Sequence, residues 1–214
     1  MLCDLWHHNC IIHAFYESFR LIMAKSEHLK LIKQGQAAWN AWRQANPSIK
    51  PDLIKSDLRT ENLNGADLNH VKLGWANLMG TDLSGTNLSY AKLDRAELSH
   101  ANLAGADLSH SILAGADLSH ANLAGADLRE ASLIGAIFHS ADLSGAKLNK
   151  ANLYGADLRY AKFSGADLSE AKLGKANLQG ADLSEANLTG AKFYLQDISG
   201  AIKAGADISK IKRY

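Results

Sequence analysis

The sequence predicts an all-β solenoid built from five-residue units, and three observations support this fold class. Every fifth residue from Leu53 to Ile198 is Leu, Phe or Ile, at all 30 positions. The residue two places earlier is small, and from Ala66 to Ala191 it is Ala at 22 of 26 positions. The residue between these two is usually Asp, Asn or Lys, and the last two residues of a unit are often Ser-Gly, Ala-Gly or Ser-His.

A period of five matches neither the α-helix, with about 3.6 residues per turn, nor a long strand, with about two. Within one unit, Ala and Leu are two residues apart, so both point to the same side of a short extended segment. The two residues after Leu have the chemistry of a turn. Stacking must stabilise the units, because no single unit can bury its own Leu. The predicted core column at mid-chain is Leu103, Leu108, Leu113, Leu118 and Leu123.

The unit A-(D/N)-L-x-x, as in residues 106–110, resembles the repeat of the pentapeptide-repeat family, in its cyanobacterial type. The resemblance implies a right-handed quadrilateral β-helix with four units per coil, so residues 51–210 would form about eight coils. The Trp-Asn-Ala-Trp-Arg stretch at residues 39–43 is similar to the segment that precedes the first repeat in cyanobacterial members.

The ends of a solenoid need covers, and residues 23–50 are predicted to form a short α-helical N-terminal cap. Ser26 is expected to N-cap one helix, and Pro47 lies beyond its end. We expect residues 1–22 to be an extension with little fixed structure, with an extra capping helix as the alternative, and residues 211–214 to be a C-terminal tail. The apolar stripe of the cap is Leu29, Ile32, Trp39 and Trp42.

Composition argues against several classes of protein. The 214 residues carry a formal net charge of +1, so no strong field would steer the protein toward nucleic acid or an anionic membrane. Both cysteines, Cys3 and Cys10, lie in the first ten residues, which fits a reducing compartment. No apolar run reaches the roughly 18–20 residues of a membrane span. We therefore expect a cytoplasmic protein that binds neither nucleic acid nor membrane.

With four units per coil, residues 20 apart stack in columns. One face, here called the basic–apolar face, consists of the outward residues of every fourth unit, starting with residues 51–55. It is basic at both ends and apolar in the middle. Clustered exposed apolar groups indicate a contact site, although scattered ones are normal on a solvated surface. The candidate interaction residues are Lys92, Arg95, Ile112, Ile134, Tyr154, Lys172 and Lys175.

Two other sets of columns have alternative interpretations. Glycines recur at one corner from Gly65 to Gly165, where they either suit the turn or leave a flat surface for a partner. Asp and Asn recur in columns that begin at Asp57 and Asp67. Some family members mimic DNA and protect DNA gyrase, which requires a strongly negative rod. The net charge of −2 over residues 51–214 disfavours that role.

The histidines suggest metal binding only weakly. His100 and His120 fall in one column with His139 beside them, but carboxylate and thiolate partners are missing. A second cluster at residues 7–13 matches no ligand pattern. We expect no metal and no cofactor.

A catalytic function is disfavoured, because an enzyme needs a concave site and every inward position of the repeats is apolar or small. The sequence therefore predicts a non-catalytic scaffold or protein-interaction module with an unidentified protein partner. A weak homodimer is an alternative form of that interaction. Gyrase protection is the runner-up function, and an enzyme is third.

Overall fold

The computed structural model of the protein describes residues 26–194, Ser209 and the backbone of Lys212–Arg213. The predicted extension at residues 1–22 and the clusters within it lie outside these residues. Most of the chain beyond Tyr194 also lies outside them, so the end of the repeat pattern is not described.

Between residue 26 and the first repeat, the structure has two helical segments. Residues 26–32 are helical (α1), and a second helix, α2, spans Gln36–Ala45. The prediction of one continuous helix is wrong, because Gly35 adopts a φ of +98° between the two segments, a conformation that interrupts a helix. The predicted N-cap at Ser26 is also wrong, since Ser26 is itself helical. Within the part of the chain that the structure describes, no helix is long and apolar enough to cross a membrane.

From Asp52 to Lys172, each unit pairs with the unit 20 residues later. Isolated parallel β-bridges connect these units from Asp52↔Lys72 through Lys172↔Lys192. The named strands β1 (Lys192–Phe193) and β2 (Lys212–Arg213) continue the series in parallel, in the same register. Each of these units therefore lies beside the unit four places later, and we call four consecutive units a coil.

Backbone hydrogen bonds explain this register. The Leu53 N–H donates to the Lys72 carbonyl at 2.8 Å, and the Lys72 N–H donates to the Pro51 carbonyl at 2.9 Å. The same two bonds recur from coil to coil along the described repeats. Because each bond joins neighbouring coils, no unit is satisfied by its own backbone, and the units fold as a stack.

A tight turn follows each inward Leu. The Ser56 N–H donates to the Leu53 carbonyl at 3.1 Å, and Lys55, the last residue of that unit, has a φ of +57°. A positive φ at this position is characteristic of a type II turn, and glycine adopts it without strain. Other units hold His, Tyr, Glu or Lys there in the same conformation. The glycine corner column is thus one version of a turn that all units share.

The interior is apolar and closed. Leu103, Leu108, Leu113, Leu118 and Leu123 are each 0% exposed, which confirms the predicted core column. The few hydroxyl groups at small-residue positions are also satisfied. Thr81 Oγ1 donates to the Leu58 carbonyl at 2.7 Å, and Ser111 Oγ donates to the Leu108 carbonyl at 2.5 Å.

Side chains of α2 contact the exposed edge of the first coil. Trp39 is fully buried, and its Nε1 donates to the Asp67 carbonyl at 2.7 Å. Asn40 Oδ1 accepts from the Asp67 N–H at 2.8 Å. Arg43, also buried, donates from Nη2 to the Asn69 carbonyl at 3.2 Å and to its Oδ1 at 2.8 Å. The Trp-Asn-Ala-Trp-Arg stretch is therefore tied to one edge of the repeats.

Helix α1 contacts a different edge of the same coil. His28 is buried, and its Nδ1 accepts a hydrogen bond from the Asp52 N–H at 3.2 Å. Its ring packs edge-to-face on Trp42, with the centroids 5.1 Å apart. Burial lowers the pKa of His28 and outweighs the opposite effect of its hydrogen bond to Asp52. All four predicted stripe residues lie in or against the core, as Ile32 is buried and Leu29 and Trp42 pack against it beside Trp39.

Candidate functional site

Arg95 and Lys175 of the basic–apolar face occupy the second turn position of their units. The structure brings the other candidate residues of this face into two parallel columns. One is the bridge ladder, in which Lys92 pairs with Ile112 and, three coils further on, Asn152 pairs with Lys172. The other column contains the residue directly after the inward Leu of each unit, such as Ile134 and Tyr154. There the Gly115 N–H donates to the Ile134 carbonyl at 2.9 Å, and the Gly135 N–H donates to the Tyr154 carbonyl at 3.0 Å. The backbones of these residues therefore lie one above another, as the 20-residue period predicts.

The middle of this face exposes apolar side chains. Ile112 is 40% exposed and Ile134 is 43% exposed, while Tyr154 is half-buried. Trp75 and Tyr194 extend the apolar surface toward its two ends. None of these side chains contributes to the closed interior, because the inward positions of the same units are filled by Leu and Phe.

Cations pack against the aromatic rings at both ends of the face. The Arg95 guanidinium carbon lies 4.8 Å from the centre of the Trp75 ring. The Lys175 ammonium lies 5.5 Å from the centre of the Tyr154 ring. Such contacts orient the cations along the surface and keep their charges at the rim of the apolar patch.

A shallow cleft lies near the C-terminal end of the face. Its cavity of about 240 Å³ is lined by Tyr154, Lys172, Gly174, Lys192, Phe193 and Tyr194. The rings of Tyr154 and Tyr194 meet edge-to-face with centroids 6.2 Å apart. The sequence analysis did not predict this cleft. The only signal that could have revealed it is the column Tyr154, Gly174, Tyr194, in which a glycine separates two large rings.

Charge is segregated between this face and the rest of the repeats. Residues 51–194 contain 13 Lys and Arg against 17 Asp and Glu. The basic–apolar face holds seven of the cations and two of the acidic residues, a net of +5. The other positions of the same segment hold six cations and 15 acidic residues, a net of −9. A near-neutral composition thus conceals one positive face on an otherwise negative surface.

The acidic and Asn columns have a structural role. In unit after unit, the Asp or Asn side chain accepts a hydrogen bond from the backbone N–H two residues later, as Asp117 Oδ1 does from Ser119 at 2.9 Å. Between coils, Asn102 Nδ2 donates to Asp82 Oδ1 at 3.1 Å. The Ser84 hydroxyl is the main cause of a lowered pKa at Asp82. These carboxylates therefore stabilise the turns as anions.

Histidine and tyrosine side chains stack along two corner columns. His100 and His120 lie with their ring centres 4.9 Å apart, and His139 meets His120 edge-to-face at 5.8 Å. The sequence analysis did not recognise the second column, in which Tyr90 stacks between His70 and His110 at 4.9 and 4.8 Å. Its signal is again the 20-residue spacing. Among the described residues, no group of three or more His, Cys, Asp or Glu side chains could hold a metal ion.

Comparison with solved structures finds other proteins built from the same repeat. HetL, a protein of the cyanobacterium Nostoc involved in regulating heterocyst differentiation, is 31% identical over 72% of this chain and 82% of its own, with a TM-score of 0.32. Rfr23 from the cyanobacterium Cyanothece is 27% identical over 72% of this chain and 92% of its own, with a TM-score of 0.38. The plasmid-mediated fluoroquinolone resistance protein QnrB1, in a trypsin-treated form, is 22% identical over 76% and 88%, with a TM-score of 0.39. No curated protein matches significantly.

The family profile described as Pentapeptide repeats matches eight copies, in overlapping segments that run from residue 52 to residue 202. The match covers well over half of the chain and coincides with the ladder of 20-residue pairings. The chain belongs to the pentapeptide-repeat family.

Proposed function

We propose that the protein is a non-catalytic interaction module that binds a partner protein with acidic edges through its basic–apolar face. The observation that carries this proposal is the charge segregation, with a net of +5 on this face against −9 over the other positions of residues 51–194. Electrostatic complementarity of this kind steers association and sets orientation. An apolar centre with a charged rim is also the usual anatomy of a protein interface.

The regularity of the repeats supports a binding role. Hydrogen bonds join each coil to the next, so the side chains of the face sit on a rigid frame before any partner arrives. A preorganised surface loses little conformational entropy on binding. Apolar side chains fill the described interior of the repeats, so no polar site lies inside the solenoid, which supports a non-catalytic role.

We also infer the finer architecture that the family resemblance implies. The constant offset of 20 residues supports a quadrilateral β-helix of about eight coils, and we take its right-handed sense from the family. The contacts of Trp39, Asn40 and Arg43 with the first coil support a capping role for α1 and α2.

DNA mimicry is a weaker proposal for this chain. A mimic must present free carboxylates to a protein that binds phosphates. Here the Asp and Asn columns accept hydrogen bonds from their own turns. Lys147 interrupts the column that begins at Asp67, and Lys162 interrupts the column that begins at Asn62.

A matched pair of double variants tests the proposed face. Ile134→Ser with Tyr154→Ser removes apolar surface from the basic–apolar face. Ile137→Ser with Tyr160→Ser makes the same chemical changes at exposed residues on another face. Neither pair alters the interior, so both variants should keep nearly the wild-type melting temperature.

Proteins captured from host lysate by each variant are then identified and compared with those captured by the wild type. We expect the first pair to lose the partner and the second pair to retain it, with salt weakening the wild-type interaction. Retention of every partner by the first pair would place the binding surface elsewhere.

A further inference from the structure

We propose that the cleft between Tyr154 and Tyr194 is an anchor site, in which an acidic peptide segment of the partner inserts one apolar side chain. This inference rests on the proposed function and deepens it, since it assigns a defined contact point and a ligand chemistry to one end of the basic–apolar face. The shape of the cleft, its cations and the charge of the surrounding surface support this assignment.

The shape of the cleft depends on Gly174. This residue lies outside the left-handed region of φ, so the backbone conformation itself does not require glycine. A Cβ atom at this position would lie 2.7 Å from Cε2 of Tyr194 and 3.4 Å from Cδ2 of Tyr154. The missing side chain therefore lets the two rings approach each other above a buried backbone, with Phe193 beneath.

The size of the cleft suits a single side chain. Its volume of about 240 Å³ is below the roughly 300–1,000 Å³ of pockets that enclose whole small molecules. An edge-to-face pair of aromatic rings offers an apolar surface that favours another aromatic or long aliphatic group. We therefore assign it to an anchoring side chain.

Cations surround the cleft. Lys172 and Lys192 line it and are direct β-bridge partners, so their side chains leave neighbouring strands at the same level. Like charges directly opposite each other in a sheet are destabilising, and a bound carboxylate relieves that repulsion. Lys175 adds a third cation over the ring of Tyr154.

Among the described residues that line the two hollows beside these lysines, the acidic side chains lie on one side. A second, polar hollow of about 360 Å³ begins at Lys172 and Lys192 and is also lined by Glu130, Lys150 and Glu170. The described residues that line the aromatic cleft, on the other side, include no acidic residue. A peptide carboxylate would therefore meet less repulsion at the aromatic side than beside Glu130 and Glu170.

Charge and spacing favour an acidic peptide over nucleic acid. A single-stranded nucleic acid needs a continuous cationic track and rings on which successive bases stack. On this face Ile112, Ser132 and Asn152 separate the two groups of cations in the bridge ladder. The two tyrosine rings are nearly perpendicular, at 82°, and do not form a stacking ladder.

A titration of the full-length protein, followed by NMR, tests the site. The probes are an acetylated and amidated Glu-Glu-Trp-Glu-Glu peptide, its analogue with central Ala, and an oligothymidine of similar charge. We expect the Trp peptide to shift the Gly174 amide and the ring signals of both tyrosines, and the Ala analogue to bind about tenfold more weakly, a loss of about 1.4 kcal/mol.

Matched variants identify the contacts. Lys172→Glu should weaken binding of the Trp peptide about tenfold, whereas Lys162→Glu, the same change at an exposed bridge position on another face, should not. Gly174→Ala should also weaken binding, because the added methyl group displaces the ring of Tyr194. Both lysine variants change exposed residues and should remain folded.

Three results would overturn the inference: no shift at the cleft at about millimolar peptide, tighter binding of oligothymidine there, or cleft shifts that depend on protein concentration alone and so reveal a second copy as the occupant. The proposed function is tested separately, with the natural partner. One outcome is that the natural partner fails to bind the double variant Ile112→Ser with Ile134→Ser but still binds the Lys172→Glu and Gly174→Ala variants. In that case the proposed anchor site is wrong and the proposed binding face is retained. If the partner binds all of these variants, both proposals are wrong.

Discussion

The indole Nε1 of Trp39 donates a hydrogen bond of 2.7 Å to the carbonyl oxygen of Asp67. In each later described coil, the equivalent carbonyl receives the backbone N–H of a leucine, as Asn87 does from Leu68 at 2.7 Å. The first coil has no preceding unit to supply that donor. The Trp39 side chain therefore supplies the donor that a backbone N–H supplies in the later coils.

The same substitution occurs at other groups of the first coil. Arg43 Nη2 donates to the Asn69 carbonyl at 3.2 Å, where a corner N–H donates in later coils. His28 Nδ1 accepts from the Asp52 N–H at 3.2 Å, where a backbone carbonyl accepts in later coils. Side chains from α1 and α2 thus make several of the hydrogen bonds that a neighbouring coil makes with each later coil.

Trp39→Phe tests this role. Phenylalanine keeps most of the buried ring but removes the donor, so the Asp67 carbonyl loses its partner. We expect the free energy of unfolding in urea to fall by about 1–3 kcal/mol. Trp42→Phe is the control, because the Trp42 ring packs on Trp39 and His28 and takes no part in the bond to Asp67. Equal losses in the two variants would contradict the role of the hydrogen bond.

Leu123→Asp tests the closed interior. Leu123 is fully buried at mid-chain, so the variant places an unpaired charge in an apolar core. A cost of several kcal/mol is expected, enough to abolish soluble folding. His120→Ala, at an exposed corner three residues away, should change the melting temperature little. A soluble Leu123→Asp protein with the wild-type melting temperature would refute the inward assignment.

The stability of the N-terminal helices should depend on pH through His28. Its pKa in the folded protein is lowered from 6.5, chiefly by burial, so the folded state disfavours the charged ring. Above pH 6.5 the ring is neutral in both states and its contribution is complete. As the pH falls below that value, the unfolded state binds a proton more readily than the folded state, and stability decreases.

Melting temperatures between about pH 8 and pH 5 measure this effect. His28→Asn keeps an acceptor close to the position of Nδ1 but does not titrate in this range, so its melting temperature should vary less with pH. Identical pH profiles for the wild type and His28→Asn would show that this histidine does not contribute.

A second pH effect should appear at acid pH. The pKa values of Asp82, Asp142 and Asp182 are lowered from 3.8, in each case mainly by a hydrogen bond from the serine hydroxyl two residues later. Their contribution is therefore complete above pH 3.8 and is lost as the pH falls through the lowered values.

The triple variant with Asn at these positions tests the carboxylates. Each amide retains an oxygen that can accept from the turn but carries no titrating charge. Urea unfolding at pH 7 and at about pH 3 should show a smaller loss of stability for the triple variant than for the wild type. An equal loss in both proteins would mean that these carboxylates do not govern acid stability.

The repeat register and the core follow from the sequence because they depend on a local pattern. Leu123 and the other inward residues occupy the same environment in every unit, so the alternation of Ala, Asp or Asn, and Leu specifies their burial. The residues of the basic–apolar face could also be identified from the sequence, because they recur at a fixed spacing and the family resemblance implied four units per coil. The role of this face in binding remains a prediction.

The non-repetitive parts of the protein could not be predicted in this way. The five-residue unit and its apolar interior could be predicted from the sequence, since they repeat along the chain, whereas the alignment of residues 20 apart also required the four units per coil that the family resemblance implies. The structure was needed to show that Gly35 separates α1 from α2, that Trp39 and His28 replace backbone partners, and that Gly174 admits two tyrosine rings. The features at Trp39, His28 and Gly174 each depend on a contact between residues distant in the chain, and one contact leaves no periodic signal.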